Sequence, residues 1–219
     1  MLLIIKKETK VAKVVTFANV KGGSGKSTLC INMAAILVRT GYSVAIIDAD
    51  QQKCSQDWIT GTKDKLLSRV EIIEPVELKA AEDVEVDFLL IDTQGSLTKE
   101  MAQFLFQSSL IITPCRVSRD DIVGQGWIEV FLKQSAQNIK KAPILTVLNG
   151  VNKRSSILSH VIEQLKDDGV QVAETCISQR VCFAETNVNK ISVIDYNKQA
   201  TEEIVDLTNE VLNSIKSEA

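Results

Sequence analysis

A glycine-rich turn between two apolar segments constrains this chain more than any other feature. The run Val14-Val15-Thr16-Phe17-Ala18 leads into Val20-Lys21-Gly22-Gly23-Ser24-Gly25-Lys26-Ser27-Thr28, and Leu29 to Val38 continues with helical spacing. A buried strand, a turn and a helix N-terminus therefore meet at one point. Such a junction suits phosphate, because glycines let backbone N–H groups converge and the helix dipole favours an anion. Lys26 would reach the β- and γ-phosphates of a nucleotide, and Ser27 would offer its hydroxyl to Mg2+. The pattern G-x-x-x-x-G-K-[ST] fails at its first position, where Val20 stands, and an extra lysine, Lys21, precedes the glycine pair.

Strands and helices alternate on either side of this turn. Strands are expected over Val11–Ala18, Ser43–Ile47, Val70–Ile73, Val86–Ile91, Leu110–Thr113 (stopped by Pro114), Ile144–Leu148 and Val170–Thr175. Helices are expected over Lys26–Thr40, capped by Gly41, and Gln52–Thr60, broken by Gly61. Lys99–Gln107, Asp121–Gln137, Ile157–Asp167 and Thr201–Ile215 follow, with Glu74–Glu85 an acidic surface connection. The strands are near-continuous apolar runs, which is how a parallel sheet covered on both faces reads. In such α/β folds ligands sit beyond the carboxyl ends of the strands. Asp48, Asp50, Asp92, Asn149 and the glycine turn all fall there, so one site gathers them. No repeat or linker interrupts the 219 residues; a single domain over 1–219 is expected, with 1–10 a short leader.

Asp92, after Phe88-Leu89-Leu90-Ile91, is the natural carboxylate for Mg2+ acting through water, or else a cap on the next turn. Gly95 would let a loop approach a γ-phosphate, although a turn glycine explains it equally well. Asp48 and Asp50 lie two apart and point the same way in an extended segment. That arrangement suggests one for the metal shell and one to position water. No glutamate stands beside Asp92, so Asp50 is the candidate for the water. Asn149-Gly150 alone is also a good turn.

Composition excludes other classes. The net charge of −3 rules out a polybasic molecule, so any nucleic-acid binding needs a local patch. Met1-Leu2-Leu3-Ile4-Ile5 is too short for a secretion signal, and no apolar run approaches the roughly 20 residues of a membrane span. Cys30, Cys54, Cys115, Cys176 and Cys182 form no C-x-x-C pair, so reduced, mostly buried thiols in a cytoplasmic protein are expected.

The residues also carry a resemblance. Lys21-Gly22-Gly23-Ser24-Gly25-Lys26-Ser27 resembles the deviant Walker A motif of the ParA/MinD ATPases, with Asn19 before it and Asn32-Met33-Ala34 after it. Ile46-Ile47-Asp48-Ala49-Asp50-Gln51-Gln52 is similar to that family's second motif and Leu90-Ile91-Asp92 to its Walker B. Ile112-Thr113-Pro114, Ser118, Asp121 and Gly126 resemble the next block, and Ile177 to Glu185 a late Ile-Pro-x-Arg segment. The small ParA-type plasmid partition proteins, without an N-terminal helix-turn-helix, are the nearest in pattern. The resemblance implies a P-loop NTPase with a mostly parallel twisted sheet of about seven or eight strands and helices on both faces. It implies ATP and Mg2+ as ligands, held by Gly22, Gly23, Ser24, Gly25, Lys26, Ser27 and Thr28. Ser27, Asp48 and Asp92 would serve the metal, Asp50 would position the attacking water, and Asn149 would read the adenine edge. Lys21 would cross a dimer interface to the nucleotide of a second copy. Gln51, Gln94 and the Ser178-Gln179 pair depart from the family, standing where it carries proline. Such losses leave loops less pre-set.

Within the family, members differ by what they bind. The stripe Ile204, Leu207, Val211, Leu212 and Ile215 faces away from Glu202, Glu203, Asp206 and Glu210. That acidic face would be repelled by anionic lipid, so the stripe reads as core and a membrane partner is not expected. Lys133 to Lys198 holds nine basic residues (Lys133, Lys140, Lys141, Lys153, Arg154, Lys166, Arg180, Lys190, Lys198) against six acidic ones. Arg180, Lys190, Lys153 and Arg154 are the candidates for sequence-independent, salt-sensitive DNA contacts, and ordinary solvated charge is the alternative. The expected function is a ParA-like partition ATPase: a homodimer across ATP, non-specific DNA binding, and slow hydrolysis stimulated by a centromere-binding ParB-like partner. Its place would be the cytoplasm, on the nucleoid when ATP-bound. The alternatives are a MinD-like or other cargo-positioning ATPase, a small-molecule ligase resembling dethiobiotin synthetase, and a nucleotide-binding regulator without turnover.

Overall fold

The computed structural model describes residues 11–75, 84–96, 98–118, 128, 130–131 and 142–217. Seven parallel strands form the sheet: β1 (Lys13–Phe17), β2 (Val44–Ala49), β3 (Glu71–Ile73), β4 (Phe88–Thr93), β5 (Leu110–Cys115), β6 (Ile144–Val151) and β7 (Ile177–Ser178). Their order is β3-β2-β4-β1-β5-β6-β7, with every neighbour parallel. The helices are α1 (Lys26–Arg39), α2 (Cys54–Thr60), α3 (Lys99–Gln107), α4 (Ser156–Asp167), α5 (Val181–Asn189) and α6 (Lys198–Ser217). This is the fold class that the apolar strands and the motif resemblance imply.

The core lies around α1, whose residues Leu29 to Val38 are all buried. One side of α1 covers the sheet through Val15, Phe17 and Leu90, and α6 closes over it with Ile204, Leu207, Val211 and Ile215. Fully burying each such aliphatic side chain contributes about 1.5–3 kcal/mol. The stripe on α6 is thus core, as its period suggests, and no described helix is long and apolar enough to cross a membrane.

Four expectations are corrected. Leu110–Thr113 does not stop at Pro114 but runs to Cys115. β1 pairs with β5 only as far as Phe17 opposite Ile112, so the N–H that proline lacks has no ladder to complete there. No strand forms over Val170–Thr175 apart from an isolated bridge between Thr146 and Val172. The Val170 N–H closes the end of α4 on Leu165, and the amides of Glu174 and Thr175 donate to the Glu210 carboxylate instead of a ladder. Glu203 and Glu210 therefore do not belong to a solvated face; Glu203 is 7% exposed. Helix α5 was not anticipated, since Val181, Thr186 and Asn187 are weak helix formers; Thr186 donates its hydroxyl back to the Cys182 carbonyl at 2.8 Å.

The leader 1–10, residues 76–83 of the acidic connection, Asp121, Gly126, Lys133, Lys140 and Lys141 lie outside the described residues. Of the helix expected over Asp121–Gln137, only Ile128, Val130 and Phe131 are described, and all three are helical.

Candidate functional site

The glycine turn leaves β1 at Phe17. Buried Asn19 fixes its start by donating Nδ2 to the Pro114 carbonyl and accepting the Lys21 N–H on Oδ1 at 2.9 Å. Gly23 and Gly25 adopt left-handed conformations, φ 72° and 96°, the second as the N-cap of α1. Side chains rarely adopt such angles. At Gly25 there is also no room, since a Cβ would collide with the Asn149 amide. Asn149 reaches the turn because left-handed Gly150 (φ 68°) accompanies an irregularity in β6 between Asn149 and Val151. Its Nδ2 donates to the Ser24 carbonyl at 2.7 Å. The residue proposed to read adenine is thus first a brace for the phosphate turn. Gly95 presses on the other side, where a Cβ would lie 3.0 Å from the Gly22 nitrogen.

Under the turn sit the carboxylates. Asp48 and Asp92 are direct neighbours in register across β2 and β4. Asp92 is fully buried and accepts the Ser55 hydroxyl on Oδ2 at 2.6 Å, while its Oδ1 has no hydrogen-bond partner among the described residues. Burial raises its pKa to about 6; hydrogen bonds from Ser27 and Ser55 oppose the rise, Asp48 adds to it and Lys26 opposes it. Lys26 is 7% exposed. Desolvation lowers its pKa against the pull of Asp92 and Asp50. Asp48 accepts the Asp50 N–H at 3.0 Å and the Gln56 N–H at 2.9 Å, which ties the end of β2 to α2. Asp50 accepts the Gln52 N–H and lines the cleft. Ser55 was missed by sequence reasoning. Nothing marks it in the sequence, because its contact with Asp92 depends on how α2 folds back.

A Mg2+ ion fits these residues. The orphaned Asp92 Oδ1, the nearby Ser27 hydroxyl and a carboxylate lacking full charge compensation form an oxygen donor set suited to it. No cluster of three or more His, Cys, Asp or Glu able to enclose a metal occurs among the described residues. Cys30, Cys115 and Cys182 are buried, Cys176 is half-buried and Cys54 is exposed.

The turn opens into a cleft of about 910 Å³. Its glycine-turn end is formed by Gly22, Gly23, Gly25, Lys26, Ser27 and Thr28, and its far end by Asn149, Ser178–Arg180 and Phe183. Lys21 immediately precedes that lining. Of the cations considered for DNA, Arg180 donates to Glu203 at 3.2 Å and Gln199 at 2.9 Å, and Lys153 lies 2.8 Å from the same Glu203 oxygen. Lys190 binds Asp57 at 2.8 Å. Arg154 is exposed on the turn before α4, with no ion pair among the described residues.

Comparison with known proteins agrees with this geometry. Residues 15–193 match the sequence model of the CobQ/CobB/MinD/ParA nucleotide binding domain. The maintenance of carboxysome distribution protein A of Halothiobacillus neapolitanus is 25% identical over 212 residues, 93% of this chain and 98% of that protein. A candidate plasmid partition protein of Borrelia burgdorferi, solved with AMPPNP, superposes with a TM-score of 0.74 at 20% identity over 92% of this chain and 99% of that one. The ATP complex of a Cyanothece McdA variant gives 0.75 at 13% identity over 93% and 97%.

Proposed function

The chain belongs to the CobQ/CobB/MinD/ParA family of nucleotide-binding domains, and from that premise we propose that it is a ParA-type positioning ATPase acting on DNA. ATP binding would close two copies face to face, the closed dimer would bind DNA without sequence preference, and a ParB-like partner would stimulate slow hydrolysis and release. The observation that carries this reading is the buried Lys26 beside Asp92, whose Oδ1 has no partner among the described residues, next to a glycine turn that ends as the N-cap of α1. Mg2+ bound there would neutralise phosphate charge and hold the β- and γ-phosphates in one geometry.

The chain's own residues would do the rest. Backbone amides of Gly22–Lys26 and the Lys26 ammonium bind the phosphates, and Asn149 keeps the turn in shape. Ser27 and Asp92 orient the metal's oxygen ligands. Asp48, held by two backbone amides, sets the direction of Asp50, which positions water for attack. Lys21, next in the chain to the cleft lining at Gly22, would meet the nucleotide of the second copy and so make the site complete only in the dimer. Arg154 is the DNA contact least committed within the chain; Arg180, Lys153 and Lys190 are held by carboxylates.

The test is DNA binding and oligomeric state with ATP, ADP or no nucleotide, repeated across salt concentrations. ATP alone should give a dimer that binds DNA of any sequence, with affinity falling steeply as salt rises. Lys21→Ala should abolish that dimer; an unchanged ATP-dependent dimer in this variant would refute the sandwich. A second reading, a cargo-positioning ATPase for a protein assembly, is favoured by the carboxysome distribution relative, which is matched over 98% of its length. Pull-down with ATP would separate the two by whether the captured partner itself binds DNA at a specific sequence.

A further inference from the structure

Glu203 stands on α6, outside the cleft, yet it gathers two other segments of the chain. Its Oε2 accepts the Ser178 N–H at 2.9 Å, and its Oε1 accepts the Ser178 hydroxyl at 2.6 Å. The same Oε1 receives Arg180 Nη2 at 3.2 Å and Lys153 Nζ at 2.8 Å. Both oxygens of a side chain only 10% exposed are therefore engaged, by the β7–α5 turn and the β6–α4 turn together. Burial alone would raise the pKa of this carboxyl, but Lys153, the Ser178 hydroxyl and N–H, and Arg180 outweigh it and hold the pKa at about 2.

The turn so held is part of the cleft wall. Ser178, Gln179 and Arg180 line its far end, and the Gln179 N–H is further anchored to the Val151 carbonyl at 2.9 Å. In the sheet order, β5, β6 and β7 lead away from β1 and its phosphate turn. A nucleotide gripped by its phosphates at Gly22–Ser27 would extend along these strand ends, so its base and sugar would meet Ser178–Arg180.

We propose that Glu203 is a positioning residue for nucleotide recognition, holding Ser178–Arg180 as the base-side wall of the cleft and fixing the Arg180 guanidinium within that wall. The inference rests on the nucleotide reading of the cleft. Without the carboxylate, Arg180 and Lys153 would repel each other and the Ser178 amide would lose its acceptor. The wall would loosen while the phosphate turn, braced by Asn19 and Asn149, would not.

The test compares ATP with inorganic tripolyphosphate, each with Mg2+, by calorimetric titration of the full chain and of Glu203→Gln. ATP affinity should fall about tenfold, equivalent to about 1.4 kcal/mol, with tripolyphosphate affinity unchanged. Ser178→Ala, which leaves both ion pairs intact, should give the same selective loss at a smaller size, about threefold, and it decides the matter if Glu203→Gln does not fold. Unchanged ATP affinity, or equal losses for both ligands, would overturn the proposal and leave the nucleotide reading standing. A wild-type chain that binds neither ligand would overturn the nucleotide reading itself.

Discussion

Replacing Asp92 with asparagine should stabilise the metal-free protein at neutral pH while disabling its site. The carboxyl is fully buried, and its pKa is raised from 3.8 to about 6. A carboxyl whose folded pKa is raised binds more protons in the native state than in the unfolded chain, so its charge destabilises the fold as pH rises from 4 to 6. About two units correspond to about 3 kcal/mol of lost stability at pH 7, the full loss being present only above the folded pKa. Asparagine removes this pH-dependent cost. It introduces an amide N–H2 where Oδ1 now lacks a partner, which costs about 1–2 kcal/mol at every pH. The difference in unfolding free energy between Asp92→Asn and wild type should therefore grow by about 2–3 kcal/mol in favour of the variant between pH 4 and pH 7.5. Urea titrations at both pH values, with chelator present, measure it. Adding Mg2+ and ATP should then raise the melting temperature of the wild type and not of the variant. A stability difference that does not change with pH would refute the assignment of an uncompensated buried charge to this position.

Substitutions at three further positions probe the site and the core beside it. Gly95→Ala places a Cβ 3.0 Å from the Gly22 nitrogen, a backbone atom with little room to yield; nucleotide affinity should fall severalfold, read by titration, with little change in melting temperature. Asn149→Ala removes the 2.7 Å bond to the Ser24 carbonyl, and nucleotide binding should weaken by about 0.5–1.5 kcal/mol, the usual net value of one such bond. Trp58 is buried with no partner for its indole N–H among the described residues. Trp58→Phe should therefore change stability by no more than about 1 kcal/mol in a denaturant melt, whereas Trp58→Ala should cost about 3–5 kcal/mol.

What could be read in advance was local. The glycine turn, the strand ending at Asp92 and the paired Asp48 and Asp50 owe their positions to chain neighbours within a few residues, and periodicity with turn chemistry describes that range. The strand lengths slipped where a long-range partner intervened. Glu210 diverts the amides of Glu174 and Thr175 from the sheet across 36 and 35 residues, and no pattern in either segment announces it. Ser55 is the same case at the candidate metal site, reaching Asp92 across 37 residues.

Glu203 shows why such residues escape a reading by period. It sits one position before Ile204 in the buried stripe of α6, at the border of the apolar face, where a carboxylate can equally be solvated or turned inward. Which it does depends on whether cations and amides from elsewhere arrive to compensate its burial, since an unpaired buried carboxylate would be prohibitively costly. Lys153, Ser178 and Arg180 arrive, and the border residue becomes the point where the β6–α4 turn, the β7–α5 turn and the C-terminal helix are tied. The same contacts remove Lys153 and Arg180 from the pool of cations able to meet DNA phosphates without first breaking a buried pair. A positive stretch counted along the chain is therefore a poor measure of a positive surface. On the proposed DNA-binding reading, affinity should respond to Arg154→Ala more than to Lys153→Ala, measured with ATP at low salt. The opposite order would mean that the Glu203 pairs open on DNA.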